Sequence, residues 1–207
     1  MHPVLKMYET HWPAALLIYC IVVFIFAFAL RSLLVYRRSG VNPLVLPSSD
    51  DAYGYVALAF KVVIVGIGVV VIGLVIWPDS QTYFGRWNAL SSPALAYVGW
   101  AVLIASLIWL LIAQAQMGTS WRIGIDDKRR TELVQHGLFT LSRNPIFLAM
   151  RVDLVGLFLI FPSAVTSTLL AAGEILIQVQ ARLEEQHLAN LHGQVYDAYR
   201  ARVRRWL

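Results

Sequence analysis

Two polar segments interrupt a chain that is otherwise strongly apolar. The first runs from Met117 to Phe147. The second opens with Glu184-Glu185, after a long apolar hairpin. Because a hairpin returns the chain to the membrane face that it left, we expect the two segments to converge there. A water-soluble cofactor could then meet a lipid-embedded substrate, which predicts an enzyme that works at the bilayer surface. The first segment carries Trp121, Arg122, Asp126, Asp127, Lys128, Arg129, Arg130, His136, Arg143 and Asn144.

Composition places the chain in a membrane. Of its 207 residues, 58% are hydrophobic and 14% are charged, whereas a soluble domain has about 25% charged residues. The length allows one compact bundle. The single cysteine, Cys20, excludes a disulfide within the chain. His11 and His136 lack metal-ligand spacing, so no metal is expected. No nucleic acid is expected as a partner either.

The elements that must position the polar segments are five apolar stretches, each a candidate for a membrane-spanning helix. Pro162 cannot continue a regular helix, so we expect the chain to turn at Pro162-Ser163. The fold class predicted is therefore all-α and integral to the membrane, with the fourth and fifth spans as a helical hairpin and a cytoplasmic helix at the C-terminus. The stretches are Pro13–Val35, Tyr55–Trp77, about Ala94–Gln116, about Pro145–Phe161, and a fifth that ends near Ala181.

Orientation follows from the cations in the loops. Arginines and lysines follow the first and third spans and fill the tail, whereas the second loop offers only Arg86. This asymmetry predicts an N-terminus outside and a C-terminus in the cytoplasm. The membrane itself is expected to be a bacterial inner membrane. On the second span, Gly66, Gly68 and Gly73 predict a small-residue face suited to close helix packing. Lys61 is expected to extend its side chain towards the interface.

Two short motifs in the first polar segment favour ligand binding. Asn144 before Pro145 is typical of a helix start, with the asparagine as N-cap. The positive end of that helix suits an anionic group. Upstream, Gly137 would let the backbone approach a ligand closely.

The ordered set of motifs resembles the isoprenylcysteine carboxyl methyltransferase family, in its prokaryotic branch, which is related to the phospholipid methyltransferases. The resemblance implies a membrane enzyme that uses S-adenosylmethionine, with residues 1–116 as three N-terminal spans and residues 117–207 as the cofactor-binding core. The motifs that carry it are Gly137–Phe139, Arg143–Phe147, Glu184–Leu188, and Gly193 with Tyr196, Tyr199, Val203 and Arg205.

The resemblance also implies roles for individual residues. Catalytic candidates are Arg143 and Glu184, and Arg151 is added because a charge at membrane depth invites a functional role. Substrate candidates are Arg151 and Gln180, because Gln180 stands where eukaryotic members carry an arginine that faces the substrate carboxylate. The implied cofactor-binding residues are Gly124, Thr131, Glu132, Leu133, Val134, His136, Gly137, Phe139, Asn144, Pro145, Ile146, Phe147 and Glu184.

Several alternatives stay open at the level of sequence. The acceptor could be an isoprenylcysteine carboxylate, another lipid-like molecule, a phospholipid amine or a small thiol, and the chain could also be a non-catalytic membrane protein that retains the fold. A carboxylate acceptor needs no general base, whereas an amine would need one, with His187 or Glu185 as candidates. Arg151 could anchor an anionic headgroup, or it could pair with Glu174 or Asp153 in a structural contact.

A cationic sulfonium donor makes a carboxylate and aromatic faces sensible neighbours. Glu184, Phe139 and Phe147 are the predicted examples, and Trp121 is a further candidate.

Overall fold

The computed structural model describes residues 3–44, 50–124 and 132–207, and of residues 3–10 it describes the backbone alone. Within these ranges the chain is helical, and the predicted all-α fold is confirmed. A π-helical segment, Phe24–Leu30, joins the first two helices into one rod. The α-helices are α1 (Pro3–Val23), α2 (Arg31–Ser39), α3 (Ala52–Ile76), α4 (Ser80–Tyr83), α5 (Pro93–Met117), α6 (Pro145–Ile160), α7 (Ala164–His192) and α8 (Gln194–Arg202).

Among the described residues, 4 helical rods are long and apolar enough to cross a membrane. The predicted fourth span is the helix α6, which has 16 residues. At 1.5 Å per residue it is about 24 Å long, whereas a bilayer core is about 30 Å thick. The count of five spans therefore stays a prediction. The 4 rods are His11–Ser39, Ala52–Ile76, Pro93–Ser120 and Ala164–His192.

The helices begin where their sequences offer caps. Asp51 accepts a hydrogen bond from the backbone N–H of Gly54 at the start of α3. At the start of α5, the Ser92 side chain accepts a hydrogen bond from the backbone N–H of Leu95. At the predicted turn after Pro162, Ser163 and Thr166 form a reciprocal capping box that starts α7. The predicted break between the hairpin helices is confirmed.

The bundle has a closed end, formed by residues 77–92 and 161–166. Trp87 N–H donates to the carbonyl of Pro162 at 2.8 Å, and Ala164 N–H donates to the carbonyl of Gly85 at 3.0 Å. The larger cluster of buried apolar side chains lies toward this end and includes Trp12 and Phe161, whose ring centroids are 5.6 Å apart. The closed end thus holds the hairpin tip firmly in place.

The opposite, open end is formed by residues 39–44, 118–124, 137–145 and 193–205. Ile123 N–H donates to the carbonyl of Pro43 at 2.9 Å, which joins the two loops that follow α2 and α5. Arg143 N–H donates to the carbonyl of Arg204 at 2.9 Å, which joins the start of α6 to the tail. Both polar segments of the sequence therefore meet at this end.

Close packing of α5 on α6 sets the position of the site. A Cβ on Gly99 would lie 2.9 Å from the carbonyl oxygen of Gly156, so only glycine allows this approach. The small-residue face predicted on α3 is found only in part. Gly66 and Gly73 pack on Leu169 and Phe84, whereas Gly68 has nothing within 4 Å of its Cβ position.

The helix α7 is longer than the sequence predicted. We expected the fifth span to end near Ala181, but α7 continues without a break to His192. The helix contains no proline, and it ends at Gly193, whose φ of +54° favours glycine. Glu184 and Glu185 therefore stand on the same rigid rod as the apolar segment that precedes them.

Candidate active site

Glu185 is the centre of a buried polar cluster at the open end. Its carboxylate accepts from Arg143 Nη2 at 3.0 Å, from Asn144 Nδ2 at 2.8 Å, and from Arg205 Nε at 3.0 Å and Nη2 at 2.9 Å. The side chains of Arg143 and Glu185 are 9% and 8% exposed. The hydrogen bonds to Glu185 raise the pKa of Arg205 above its usual value. We call these four residues the Glu185 cluster.

The same stretch of chain fastens the C-terminal tail. Arg143 Nη1 donates to the carbonyl of Val203 at 2.9 Å and to that of Arg200 at 3.1 Å. Ser142 Oγ donates to the carbonyl of Arg205 at 3.0 Å. The guanidinium of Arg143 is therefore engaged on three sides by protein groups, which gives this residue a positioning role.

Asn144 departs from the expected capping arrangement. It occupies the N-cap position of α6, and Pro145 is the first helical residue, as predicted. The prediction that its side chain caps the helix is wrong, because the structure shows no capping bond there. The amide instead donates to Glu185, since a buried carboxylate is a stronger acceptor than the alternatives nearby.

A polar pocket of about 90 Å³ opens beside the Glu185 cluster. Eight residues predicted from the sequence lie in its wall: Gly124, Glu132, Leu133, Val134, Phe139, Arg143, Asn144 and Glu184. Met117, Ser120, Arg122, His187, Leu188 and Tyr199 complete the lining.

An apolar chamber of about 250 Å³ adjoins the polar pocket. Predicted residues in its wall include Pro145, Ile146, Phe147 and Gln180, and Trp121 also contributes. One face of α3 forms the opposite wall, together with Phe28 from the π-helical segment. The α3 residues are Tyr53, Ala57, Phe60, Lys61 and Ile64.

The polar pocket and the apolar chamber share part of their walls. Glu184 and Phe139 lie in this shared wall, where a ligand in one space would face a ligand in the other. Within the described part of the chain, Glu184 has no hydrogen-bond or ion-pair partner, whereas Arg143 and Arg205 are bound to Glu185. The shared residues are Met117, Arg122, Gly124, Phe139, Arg143, Asn144 and Glu184.

Three of the predicted cofactor residues are not placed in these walls. Thr131 lies outside the described residues. His136 and Gly137 are exposed and line neither space. Gly137 has a φ of +60°, and a Cβ there would overlap the side chain of Gln116. Gln116 Oε1 accepts from the N–H of Leu138 at 2.8 Å. The close approach that needs this glycine is therefore made by Gln116 and not by a ligand.

Arg151 on α6 lines neither the polar pocket nor the apolar chamber. Its Nε is 2.7 Å from Glu174 Oε2, and its guanidinium carbon is 4.4 Å from the ring centre of Trp206. The structural contact with Glu174 is confirmed, whereas Asp153 accepts from Tyr19 instead. Because Arg151 lines neither the pocket nor the chamber, the geometry lends no support to its predicted catalytic and substrate-binding roles.

A buried tyrosine holds the loop that carries Phe139. Tyr199 Oη donates to the carbonyl of Phe139 at 2.7 Å. Burial raises the pKa of Tyr199 to about 12, so its hydroxyl stays protonated and remains a donor at neutral pH. The pocket wall at Phe139 is thereby fixed by α8.

The α3 wall and Tyr199 were missed as site residues by sequence reasoning. The spacing of Tyr53, Ala57, Phe60-Lys61 and Ile64 is that of one helical face, but apolar faces are common to all membrane helices. Only Lys61 stood out, and we interpreted it as an interfacial residue. Among the described residues, no group of three or more His, Cys, Asp or Glu side chains could hold a metal ion.

Comparison with known proteins agrees with the motifs. A family model described as phospholipid methyltransferase matches residues 94–195, a range that holds the first polar segment, the hairpin and the start of the second polar segment. The family includes isoprenylcysteine carboxyl methyltransferases, so the predicted resemblance is confirmed. No curated protein matches the chain. The resemblance to this family of membrane methyltransferases thus rests on residues 94–195, just under half of the chain.

Proposed function

We propose that the chain transfers a methyl group from S-adenosylmethionine to a lipid-like acceptor at the membrane. The observation that carries this proposal is the wall shared by a polar pocket and an apolar chamber, with Glu184 in it. Where the same residues line both spaces, a polar ligand and an apolar ligand could lie side by side with their reacting atoms adjacent.

The polar pocket fits the cofactor in its charge. When bound, S-adenosylmethionine supplies an activated methyl group on a cationic sulfur. Glu184 offers a carboxylate that no cation of the described chain neutralises, and Phe139 offers an aromatic ring in the same wall. Both groups attract a cation in a site of low dielectric constant. Glu132, Leu133 and Val134 would hold the remainder of the cofactor.

The apolar chamber fits the acceptor. Its walls come from α3, α6 and α7, which are helices that also face lipid, so an acyl or prenyl chain could enter sideways from the bilayer. Ile146, Phe147 and Met150 on α6 would contact that chain opposite Phe60 and Ile64 on α3. The fit favours an acceptor with a long apolar chain over a small soluble thiol.

Positioning would supply much of the rate. Holding the two reacting atoms in line supplies on the order of 7–11 kcal/mol, and exclusion of water from the shared wall strengthens the attraction of Glu184 for positive charge. The Glu185 cluster contributes by fixing Asn144 and the start of α6. Arg143 acts as a positioning residue in this scheme.

We further propose that the open end faces the cytoplasm. Arg37 and Arg38 lie at that end, together with the arginines of the tail, whereas Arg86 lies at the closed end. Loop cations favour the cytoplasmic side. Reporter proteins fused at the two ends of the chain test this orientation, because only a cytoplasmic C-terminus gives signal from a cytoplasm-dependent reporter there.

Calorimetry with the purified protein in lipid nanodiscs tests cofactor binding. Wild type is expected to bind S-adenosylmethionine, and Glu184→Gln should weaken binding about tenfold because one charge-assisted contact is lost. Glu174→Gln is the matched control, since Glu174 stands on the same helix outside both spaces, and its affinity should equal that of wild type. Absence of binding by wild type would refute the proposal.

Transfer is tested with methyl-labelled cofactor and membrane lipid extract. A base-labile labelled product indicates a carboxyl methyl ester, and a stable labelled amine indicates a phospholipid acceptor. Cofactor binding without any labelled lipid would instead favour the non-catalytic alternative.

A further inference from the structure

Lys61 is an exposed cation within the membrane helix α3, and it lines the apolar chamber. It lies about 14 Å along α3 from the first residue of that helix, at 1.5 Å per residue. The four other chamber residues of this face carry no formal charge: Tyr53, Ala57, Phe60 and Ile64. A charge at such depth is costly unless it is paired or serves a ligand.

The carboxylates near the chamber do not neutralise Lys61. Glu185 is bound to Arg143, Asn144 and Arg205. Of the described residues that line the chamber, Glu184 alone is acidic, and it forms no ion pair with Lys61. Within the described part of the chain, Lys61 therefore faces the chamber without a charged partner.

The second cation of the chamber strengthens this imbalance. Arg122 lines the same space, and its Nη1 donates to the carbonyls of Thr119 and Trp121. These carbonyls orient the guanidinium but carry no formal charge. The third, Arg143, is neutralised by Glu185. The chamber is therefore lined by more positive than negative side chains, and most of its other lining residues are apolar.

We infer that Lys61 selects an amphiphile with one apolar chain and an anionic group, a carboxylate or a phosphate, as the ligand of the apolar chamber. The inference rests on the proposed function, in which this chamber holds the acceptor. Lys61 lies outside residues 94–195, which the family model matches. The selection would therefore come from the N-terminal part of the chain, which differs from the part that holds the cofactor.

Binding of matched amphiphiles to the full chain in nanodiscs tests the inference. The probes share one chain length and carry a carboxylate, a phosphate, a neutral hydroxyl or an amine. Wild type should bind the carboxylate or the phosphate probe at least about tenfold more tightly than the neutral and amine probes, as expected for a charge-assisted hydrogen bond. Competition with inorganic phosphate separates a headgroup site from a site for the free anion.

Variants assign the preference to Lys61. Lys61→Met should bind the anionic and neutral probes equally, and Lys61→Arg should keep the preference. Arg182→Met is the control, because it removes one cation from an exposed position that lines neither space. A preference that survives in Lys61→Met overturns the inference. If Lys61→Met does not insert into the membrane, wild type alone still tests the inference. Equal binding of all four probes by wild type would overturn it.

The two proposals fail separately. Loss of the lipid preference in Lys61→Met should leave the affinity for S-adenosylmethionine unchanged, since Lys61 does not line the polar pocket. Wild type that binds no cofactor but still prefers anionic probes would refute the proposed function alone. Wild type that binds cofactor but shows no preference among probes would refute the role of Lys61 alone.

Discussion

Arg143 and Glu185 lie 42 positions apart in the sequence and form a nearly buried ion pair, with Nη2 and Oε2 separated by 3.0 Å. The pair joins the start of α6 to the last third of α7. Since Arg143 also holds the tail, this contact connects three segments of the open end. It fixes the wall that the polar pocket and the apolar chamber share.

Glu185→Ala should destabilise the protein by about 3–5 kcal/mol, because it leaves the buried charge of Arg143 uncompensated. The change is measured as a fall in the unfolding temperature in detergent. Asp197→Ala is the control, because its partner Arg200 and Asp197 itself are 54% and 57% exposed. An exposed pair contributes about 0–1 kcal/mol. Equal effects of the two variants would contradict a central role for the Glu185 cluster.

Gly137→Ala should also destabilise the protein, by about 1–3 kcal/mol, because the φ of +60° is strained for alanine and the new methyl overlaps Gln116. Adding Gln116→Ala should recover part of the loss, since it removes the overlap but not the strain. Gly68→Ala is the control, as nothing lies within 4 Å of its Cβ position. Thermal unfolding of the four proteins decides whether Gly137 serves Gln116 as we describe.

Tyr199→Phe should cost about 1 kcal/mol through the lost hydrogen bond to Phe139. The substitution should also change how the stability of the folded protein depends on pH above about pH 10. Burial raises the pKa of Tyr199 from 10.0 to about 12 in the folded protein, so ionisation favours the unfolded chain as pH rises from about 10 to about 12. Stability of wild type should fall across this range more steeply than that of Tyr199→Phe. Parallel pH profiles would contradict the assignment, and Tyr83→Phe, at a side chain 74% exposed, should match wild type.

Arg151→Met should leave the affinity for S-adenosylmethionine unchanged, because Arg151 lines neither the pocket nor the chamber. Its stability should fall modestly, since Glu174 and Trp206 lose their cationic partner. Calorimetry beside Glu184→Gln measures the difference. A loss of cofactor affinity as large as that of Glu184→Gln would restore the catalytic role that its charge at membrane depth suggested for Arg151.

Sequence reasoning predicted the helices well, because their ends carry strong local signals. The turn predicted at Pro162-Ser163 separates α6 from α7, and Ser163 caps the start of α7. It also predicted that Phe139 and Glu184 belong to one wall. These residues sit in motifs whose order along the chain is itself informative.

The division of labour between Glu184 and Glu185 could not be predicted. Adjacent residues on a helix point about 100° apart, so which acid faces the pocket depends on the rotation of α7. That rotation is set by packing, for instance of Gly173 on Leu154, where any Cβ would overlap the leucine. The α3 wall escaped prediction for the same reason, because its position depends on contacts between distant helices.

The tail contacts have a consequence for the order of assembly. Arg143 enters the membrane surface with α6, but its carbonyl acceptors at residues 200 and 203 and the arginine that shares Glu185 are synthesised about 60 residues later. Until those residues leave the ribosome, the guanidinium must be hydrated or bound elsewhere. The wall between the two ligand spaces can therefore mature only after Arg205 has emerged, however early the helices insert.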